Sequence, residues 1–78
     1  MSFYAQKFSH LKVNLKNHQL WVSLDNTEQS NAITYEMIDS LTKVLREADF
    51  DPAVRVIVLT GEGNNFCAGG DVKAMENK

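Results

Sequence analysis

Seventy-eight residues, 44% hydrophobic and 23% charged, have the composition of an ordinary globular chain, enough for one small domain. The single cysteine excludes an internal disulfide, and one Cys with two His falls short of the four ligands of a usual structural zinc site. A net charge of −2 gives no electrostatic footing for nucleic acid, and the first residues hold neither a long apolar run nor a small-residue cleavage site; no membrane span or secretion signal is indicated, and a cytoplasmic setting is expected.

In residues 8–16, Leu11, Val13 and Leu15 alternate with His10, Lys12, Asn14 and Lys16, the period-two pattern of a strand with one face buried. Asn17-His18 can turn the chain. Residues 19–24 alternate again, with Leu20, Val22 and Leu24 pointing one way, so the two runs read as an antiparallel hairpin. His10 then belongs to a wet face and His18 to a turn, and Trp21 reads as packing rather than a binding platform. Residues 25–31 are polar and aperiodic, as a surface connection should be.

The period then changes to three and four. Met37, Ile38, Leu41, Val44, Leu45 and Ala48 form the apolar stripe of an amphipathic helix, and Glu36, Asp39, Ser40, Lys43, Arg46 and Glu47 fill its outer side. Thr34 is placed to cap it, Glu36 sits in the first turn where the helix dipole favours an anion, and Pro52 stops it near Asp49. Residues 54–60 carry Val54, Val56, Ile57, Val58 and Leu59, a run expected of a strand covered on both faces and lying parallel to an earlier one after the helical crossover. Gly61, Gly63, Asn64 and Asn65 make a loop, the Gly-rich stretch Phe66-Cys67-Ala68-Gly69-Gly70-Asp71 follows, and Val72 to Glu76 begins a helix with Asp71 as its cap.

That Gly-rich stretch concentrates the chemistry. It fits no NTPase phosphate loop, because neither Gly61 nor Gly63 leads to Gly-Lys-Ser or Gly-Lys-Thr. A dinucleotide fingerprint starting at Gly61 would put Phe66 where glycine or alanine is needed, and no Gly-x-Ser-x-Gly elbow exists. Cys67 has no neighbouring His to activate it and reads as a small apolar residue behind the turn; Asp71 and Glu62 are weak candidates for a general base. Backbone N–H groups at a helix entrance remain, with Gly70 the best single donor for a developing oxyanion. A tight strand-to-helix turn that uses two glycines for its geometry accounts for the same residues.

Several separated blocks occur in a characteristic order: Leu24-Asp25-Asn26, Asn31-Ala32-Ile33, Met37 in a helix, the segment Ala48-Asp49-Phe50-Asp51-Pro52-Ala53-Val54-Arg55, then Val58-Leu59-Thr60-Gly61-Glu62-Gly63 and Phe66-Cys67-Ala68-Gly69-Gly70-Asp71-Val72. From about Phe8 onward the chain resembles the amino-terminal third of the crotonase superfamily, the enoyl-CoA hydratases and isomerases. The resemblance implies an α/β fold of repeated β-β-α turns wound into a spiral, with subunits assembled as trimers or pairs of trimers. It implies acyl-CoA thioester chemistry in which two backbone N–H groups stabilise an enolate-like oxygen, with coenzyme A entering as part of the substrate and no further cofactor or metal. Gly70 matches the first donor. Ala32 and Ala68 match positions that contact the coenzyme A part of the ligand, and Gly69, Asp71 and Val72 complete the substrate-binding wall.

Two departures qualify that picture. Family members often carry Arg-Pro after the Asn matched by Asn26 and a basic residue before the Asn-Ala pair, whereas this loop is Thr27-Glu28-Gln29-Ser30; Lys73 or Lys12 would have to support the anionic nucleotide. The second donor and the acid–base glutamates resemble segments that would follow Lys78. The chain is therefore expected to be the amino-terminal fragment of a single crotonase-like domain, inactive in hydration and marginally stable or associated by itself. A non-catalytic acyl-CoA-binding or assembly module on the same scaffold, and a β/α domain with an incidental Gly turn, are the rival readings.

Overall fold

The computed structural model describes residues 3–64 together with Phe66 and Cys67. Its order is a 3-10 turn at Phe3–Ala5, strands β1 (Leu11–Lys16) and β2 (Gln19–Leu24), a second 3-10 turn at Thr27–Gln29, helix α1 (Tyr35–Phe50) and strand β3 (Val56–Gly61). The sheet runs β1-β2-β3, with β1 antiparallel to β2 and β2 parallel to β3. The expected hairpin, helix and parallel strand all form.

The hairpin closes through two residues, Asn17 and His18, both with positive φ (52° and 64°). That pair of left-handed residues makes the tight turn whose twist suits two antiparallel strands. His18 also anchors the far end of the chain: its ring Nδ1 lies 2.9 Å from the Ala53 carbonyl oxygen, and its own carbonyl accepts from the N–H groups of Arg55 and Val56. Its work is to hold the start of β3 beside β2. His10, also at positive φ, sits in the turn entering β1, where its carbonyl accepts the Asp25 N–H.

Register sorts the side chains. Leu11, Val13 and Leu15 lie opposite Leu24, Val22 and Leu20, so the six share the front of the sheet. Leu20, Val22 and Leu24 join Leu11, Tyr4, Met37, Val44 and Ala48 in the core. On the back, Ser23 and Thr60 exchange a 2.8 Å hydroxyl hydrogen bond across the parallel pair. Trp21 also lies on the back, 43% exposed, its Nε1 donating to Gln19 Oε1; it packs outside the core.

Thr34 caps α1 as its position predicts, its Oγ1 accepting the Met37 N–H at 3.2 Å. The buried stripe differs from the expected one. Met37, Ser40, Val44 and Ala48 face inward, whereas Ile38 and Leu45 stay more than two-fifths exposed. Ser40, expected on the outer side, is buried because its hydroxyl donates to the Ser9 carbonyl at 2.9 Å, binding the helix to the segment before β1. A small hydroxyl with a partner can sit beneath a helix where a larger apolar residue would hold it away.

The expectation for residues 54–60 is corrected in one respect. The strand begins at Val56, and it is an edge strand among the described residues, with Val56, Ile57 and Leu59 exposed to 53%, 43% and 48%. Its composition suits cover on both faces, but α1 is the single α-helix among the described residues and its buried stripe packs in the core with β1 and β2.

At the end of α1, Asp51 gathers four contacts. Its N–H donates to the Ala48 carbonyl, its own carbonyl accepts the Val54 N–H, Oδ1 accepts the Ala53 N–H, and Oδ2 accepts the Tyr4 hydroxyl at 3.1 Å. Burial, reinforced by the Asp51 carboxylate, pushes the Tyr4 phenol up to about 12 from 10.0. The folded value lies above the ordinary one, so this contribution to stability is complete below pH 10 and is lost as pH rises through about 12. The wild-type melting temperature should fall more steeply between pH 10 and 12 than that of Tyr4→Phe, and parallel curves would refute the coupling. At neutral pH, Thr34→Ala should cost about 1 kcal/mol in urea unfolding through loss of the cap, and Met37→Ala about 2–5 kcal/mol through the cavity it leaves.

Candidate active site

Parallel β2 and β3 end side by side, with Leu24 opposite Gly61, so the connection to α1 and the loop leading toward the Gly-rich stretch leave the same edge of the sheet. In open α/β sheets, ligands bind at this carboxyl edge. Pairing continues one step beyond the strands, the Glu62 N–H donating to the Leu24 carbonyl at 2.8 Å.

Two asparagines then bind the loops into one body. The Asn31 N–H donates to the Asn26 carbonyl, and Asn31 Oδ1 accepts the Asn26 N–H, each at 2.8 Å. Asn31 Nδ2 crosses to the other loop and donates to the Glu62 carbonyl at 2.8 Å. Asn26 Nδ2 in turn donates to the Ala32 carbonyl at 2.9 Å. These partners fix which end of the Asn31 amide is oxygen, since one side meets an N–H and the other a carbonyl. Asn31 is fully buried, Asn26 nearly so, and Asn31 holds a left-handed φ of 59° that asparagine accepts more readily than most residues.

This corrects the expectation that residues 25–31 are merely a surface connection. Thr27–Gln29 turns outward as a 3-10 turn, while the asparagines on either side of it point inward. The same turn meets the second loop: Gly63 has φ +75°, and a Cβ built there would lie 3.2 Å from Thr27 Cγ2. Glycine suits that position on both counts, since side chains rarely adopt this φ and a Cβ would crowd the Thr27 methyl.

The charges around the loops are already engaged or acidic. Lys12 Nζ pairs with Glu62 Oε1 at 3.0 Å, and that hydrogen bond holds the Lys12 ammonium above its ordinary range. Lys12 and Glu62 thus form an exposed ion pair beside the loops. A shallow depression of about 280 Å³ is lined by His10, Asp25, Asn26, Thr27 and Glu28, a surface with two carboxylates and little to attract a polyanion. Among the described residues, no group of three or more His, Cys, Asp or Glu side chains could hold a metal ion.

Of the sequence-predicted site residues, Ala32 is half-buried at the asparagine bracket, its N–H bonded to the Gln29 carbonyl. Cys67 packs, partly buried, against the core, which suits a small apolar residue behind a turn. Ala68, Gly69, Gly70, Asp71, Val72 and Lys73 lie outside the described residues. Asn31 was missed as a functional-site residue by sequence reasoning; its signal was an Asn-Ala pair at the end of an aperiodic polar stretch, without anything to say that its amide would span two loops.

A family model for enoyl-CoA hydratase/isomerase matches residues 15–78. The chain is 36% identical over 67 residues to 3-hydroxyisobutyryl-CoA hydrolase 1 of Arabidopsis thaliana, covering 86% of this chain and 18% of that protein. It is also 36% identical over 66 residues to enoyl-CoA hydratase EchA19 of Mycobacterium tuberculosis, covering 85% and 25%. The crystal structure of an enoyl-CoA hydratase/isomerase from Mycobacterium paratuberculosis superposes with a TM-score of 0.81 at 33% identity, over 86% of this chain and 26% of that one. The chain thus spans roughly a fifth to a quarter of these proteins. A mixed sheet of three strands with one helix matches the amino-terminal part of crotonase-fold structures, and with the family pattern running through the Gly-rich stretch to Lys78 the chain belongs to the enoyl-CoA hydratase/isomerase family.

Proposed function

We propose that the chain carries one half of an acyl-CoA thioester site, in which the Gly70 N–H donates to the thioester carbonyl oxygen and favours the enolate-like state over the ground state. The observation that carries this reading is the bracket at the carboxyl edge of β2 and β3, where Asn31 fixes the loop that leads to Gly70 against the loop that presents Ala32. A backbone donor stabilises developing charge only when its position is set before the reaction, and a buried amide with both ends engaged is a means of setting it. Ala32, Ala68 and Gly69, with Asp71 and Val72, form the wall around the ligand, and coenzyme A enters only as part of the substrate.

The reaction we assign to the complete site is hydration or double-bond isomerisation of an enoyl-CoA, with a second donor and proton-transferring carboxylates supplied by residues other than those of this chain. Resemblance to 3-hydroxyisobutyryl-CoA hydrolase 1 favours a second reading, thioester hydrolysis, in which the same donor would bind the oxyanion of a tetrahedral intermediate. Both need Gly70 in one role. They part at the groups that move protons or activate water.

Titration of the chain with butyryl-CoA carrying a 13C-labelled thioester carbonyl tests the shared step. Binding should move the carbonyl resonance in the direction of greater polarisation, and Gly70→Pro, which removes the N–H, should abolish that movement. Absence of binding at millimolar ligand would reduce the Gly-rich stretch to a structural turn. Binding with an unmoved carbonyl would favour the non-catalytic module. In the same assay, Asn31→Asp should weaken binding and lower stability by roughly 1–3 kcal/mol, because a carboxylate oxygen would then face the Glu62 carbonyl without a proton between them.

A further inference from the structure

The family match begins at residue 15, and the chain ahead of it carries a structure of its own. Residues 3–9 run along α1 in the direction opposite to it. The Tyr4 hydroxyl donates to Asp51 Oδ2 at 3.1 Å at the carboxyl end of the helix, and the Ser9 carbonyl accepts the Ser40 hydroxyl at 2.9 Å, roughly 16 Å nearer the amino end by helical rise. Both ends are also seated in apolar surroundings. Tyr4 is a member of the core, and Phe3 and Phe8 pack against it, partly buried. The Phe3 ring meets Tyr4 edge-on at 5.6 Å and Phe8 at 5.7 Å, so it ties one seated end to the other.

Between those ends the segment stands away from the body. Ala5, Gln6 and Lys7 are exposed, and Gln6 bonds back to the Phe3 carbonyl through its N–H and its side chain, at 3.5 and 3.0 Å, instead of crossing to the sheet. A gap of about 210 Å³ remains where Tyr4 and Ala5 approach Val13, Asn14 and Leu15 of β1. Protein interiors are close-packed, so a segment fastened at its ends beside unfilled space has the character of a unit of low local stability.

We propose that residues 3–9 form a latch that opens as one unit short of global unfolding, and that its closure holds the entry to β3. This is independent of the acyl-CoA reading. The ring contacts of Phe3 make the two fastenings release together, because freeing Tyr4 or Phe8 strips Phe3 of a partner. The link to β3 runs through Asp51, which takes the Tyr4 hydroxyl on Oδ2 and the Ala53 N–H on Oδ1 while its carbonyl takes the Val54 N–H. With the latch open, the turn into β3 keeps its bonds to His18 and loses the restraint that Tyr4 places on its Asp51 side.

Native-state proteolysis with trypsin reads the latch, because Lys7 lies between its fastenings and cleavage tracks the open population when reclosing is fast. In the 78-residue chain, the cut after Lys7 should precede those after Lys12, Lys16 and Arg46, and its rate should depend on urea much less steeply than global unfolding does. Tyr4→Phe and Ser40→Ala should each raise that rate roughly two- to tenfold, the population shift expected from one lost hydrogen bond. Hydrogen exchange at the Ala53 amide should rise by a similar factor in both variants. Thr34→Ala, which weakens α1 without touching the latch, should leave both readouts unchanged. A Lys7 cut with the full urea dependence of global unfolding, or one accelerated equally by Thr34→Ala, would overturn the proposal. An Ala53 amide that is indifferent to Tyr4→Phe and Ser40→Ala would overturn the link to β3.

Discussion

One buried amide holds the two loops of this protein together. Asn31 accepts from Asn26 with one end of its side chain and donates to Glu62 with the other. The carboxyl ends of β2 and β3 are neighbours through the sheet itself, but backbone pairing ends with the Glu62 N–H on the Leu24 carbonyl, one step beyond Leu24 and Gly61. Beyond that point the backbone groups of both loops need partners away from water, and a buried carbonyl left without one is costly. Asn31 provides a partner for Glu62 while the Asn26 amide does so for Ala32. The loops therefore leave the sheet as a single hydrogen-bonded unit, and Gly63 lets them approach to the distance of a methyl contact.

A comparable economy governs the opposite end of the sheet. His18 in the hairpin turn and Asp51 at the end of α1 divide the segment between helix and β3: Asp51 holds residues 53 and 54, and His18 holds Arg55 and Val56. Tyr4 joins this junction from the first turn of the chain through its hydroxyl. The long crossover between parallel strands is thus fixed at both ends by side chains or turns from elsewhere, which sets the register of β3 on β2 without reliance on its own side-chain burial. That matters because β3 buries so little.

The sequence made the elements legible because they rest on periodicity. Alternation in β1 and β2, the three–four repeat of α1, the Thr34 cap and the β-branched run of β3 each follow from which faces meet the core. Features set by single hydrogen bonds were not legible. Ser40 looks like a solvent-facing residue until the Ser9 carbonyl supplies its partner, and Ile38 and Leu45 look like core until α1 is rotated to admit Ser40. Asn26 and Asn31 look like loop filler, because an asparagine that bonds across two loops has the same local pattern as one that faces water. The doubly apolar pattern of β3 described an environment, two covered faces, that its neighbours among the described residues do not supply.

The nature of the proposed chemistry explains why the loops carry so few conventional catalytic side chains. A site that works through backbone N–H groups asks its side chains to do two things: leave the donor accessible and hold the main chain still. In the proposed site glycine and alanine would do the first, and the buried asparagines Asn26 and Asn31 are placed to do the second. Lys12 and Glu62 add an ion pair that links β1 to the second loop across β2. Such an arrangement is indifferent to what happens next to the stabilised oxygen. Hydration, isomerisation and thioester hydrolysis can share it unchanged, and their difference must reside in the groups brought to the other side of the thioester.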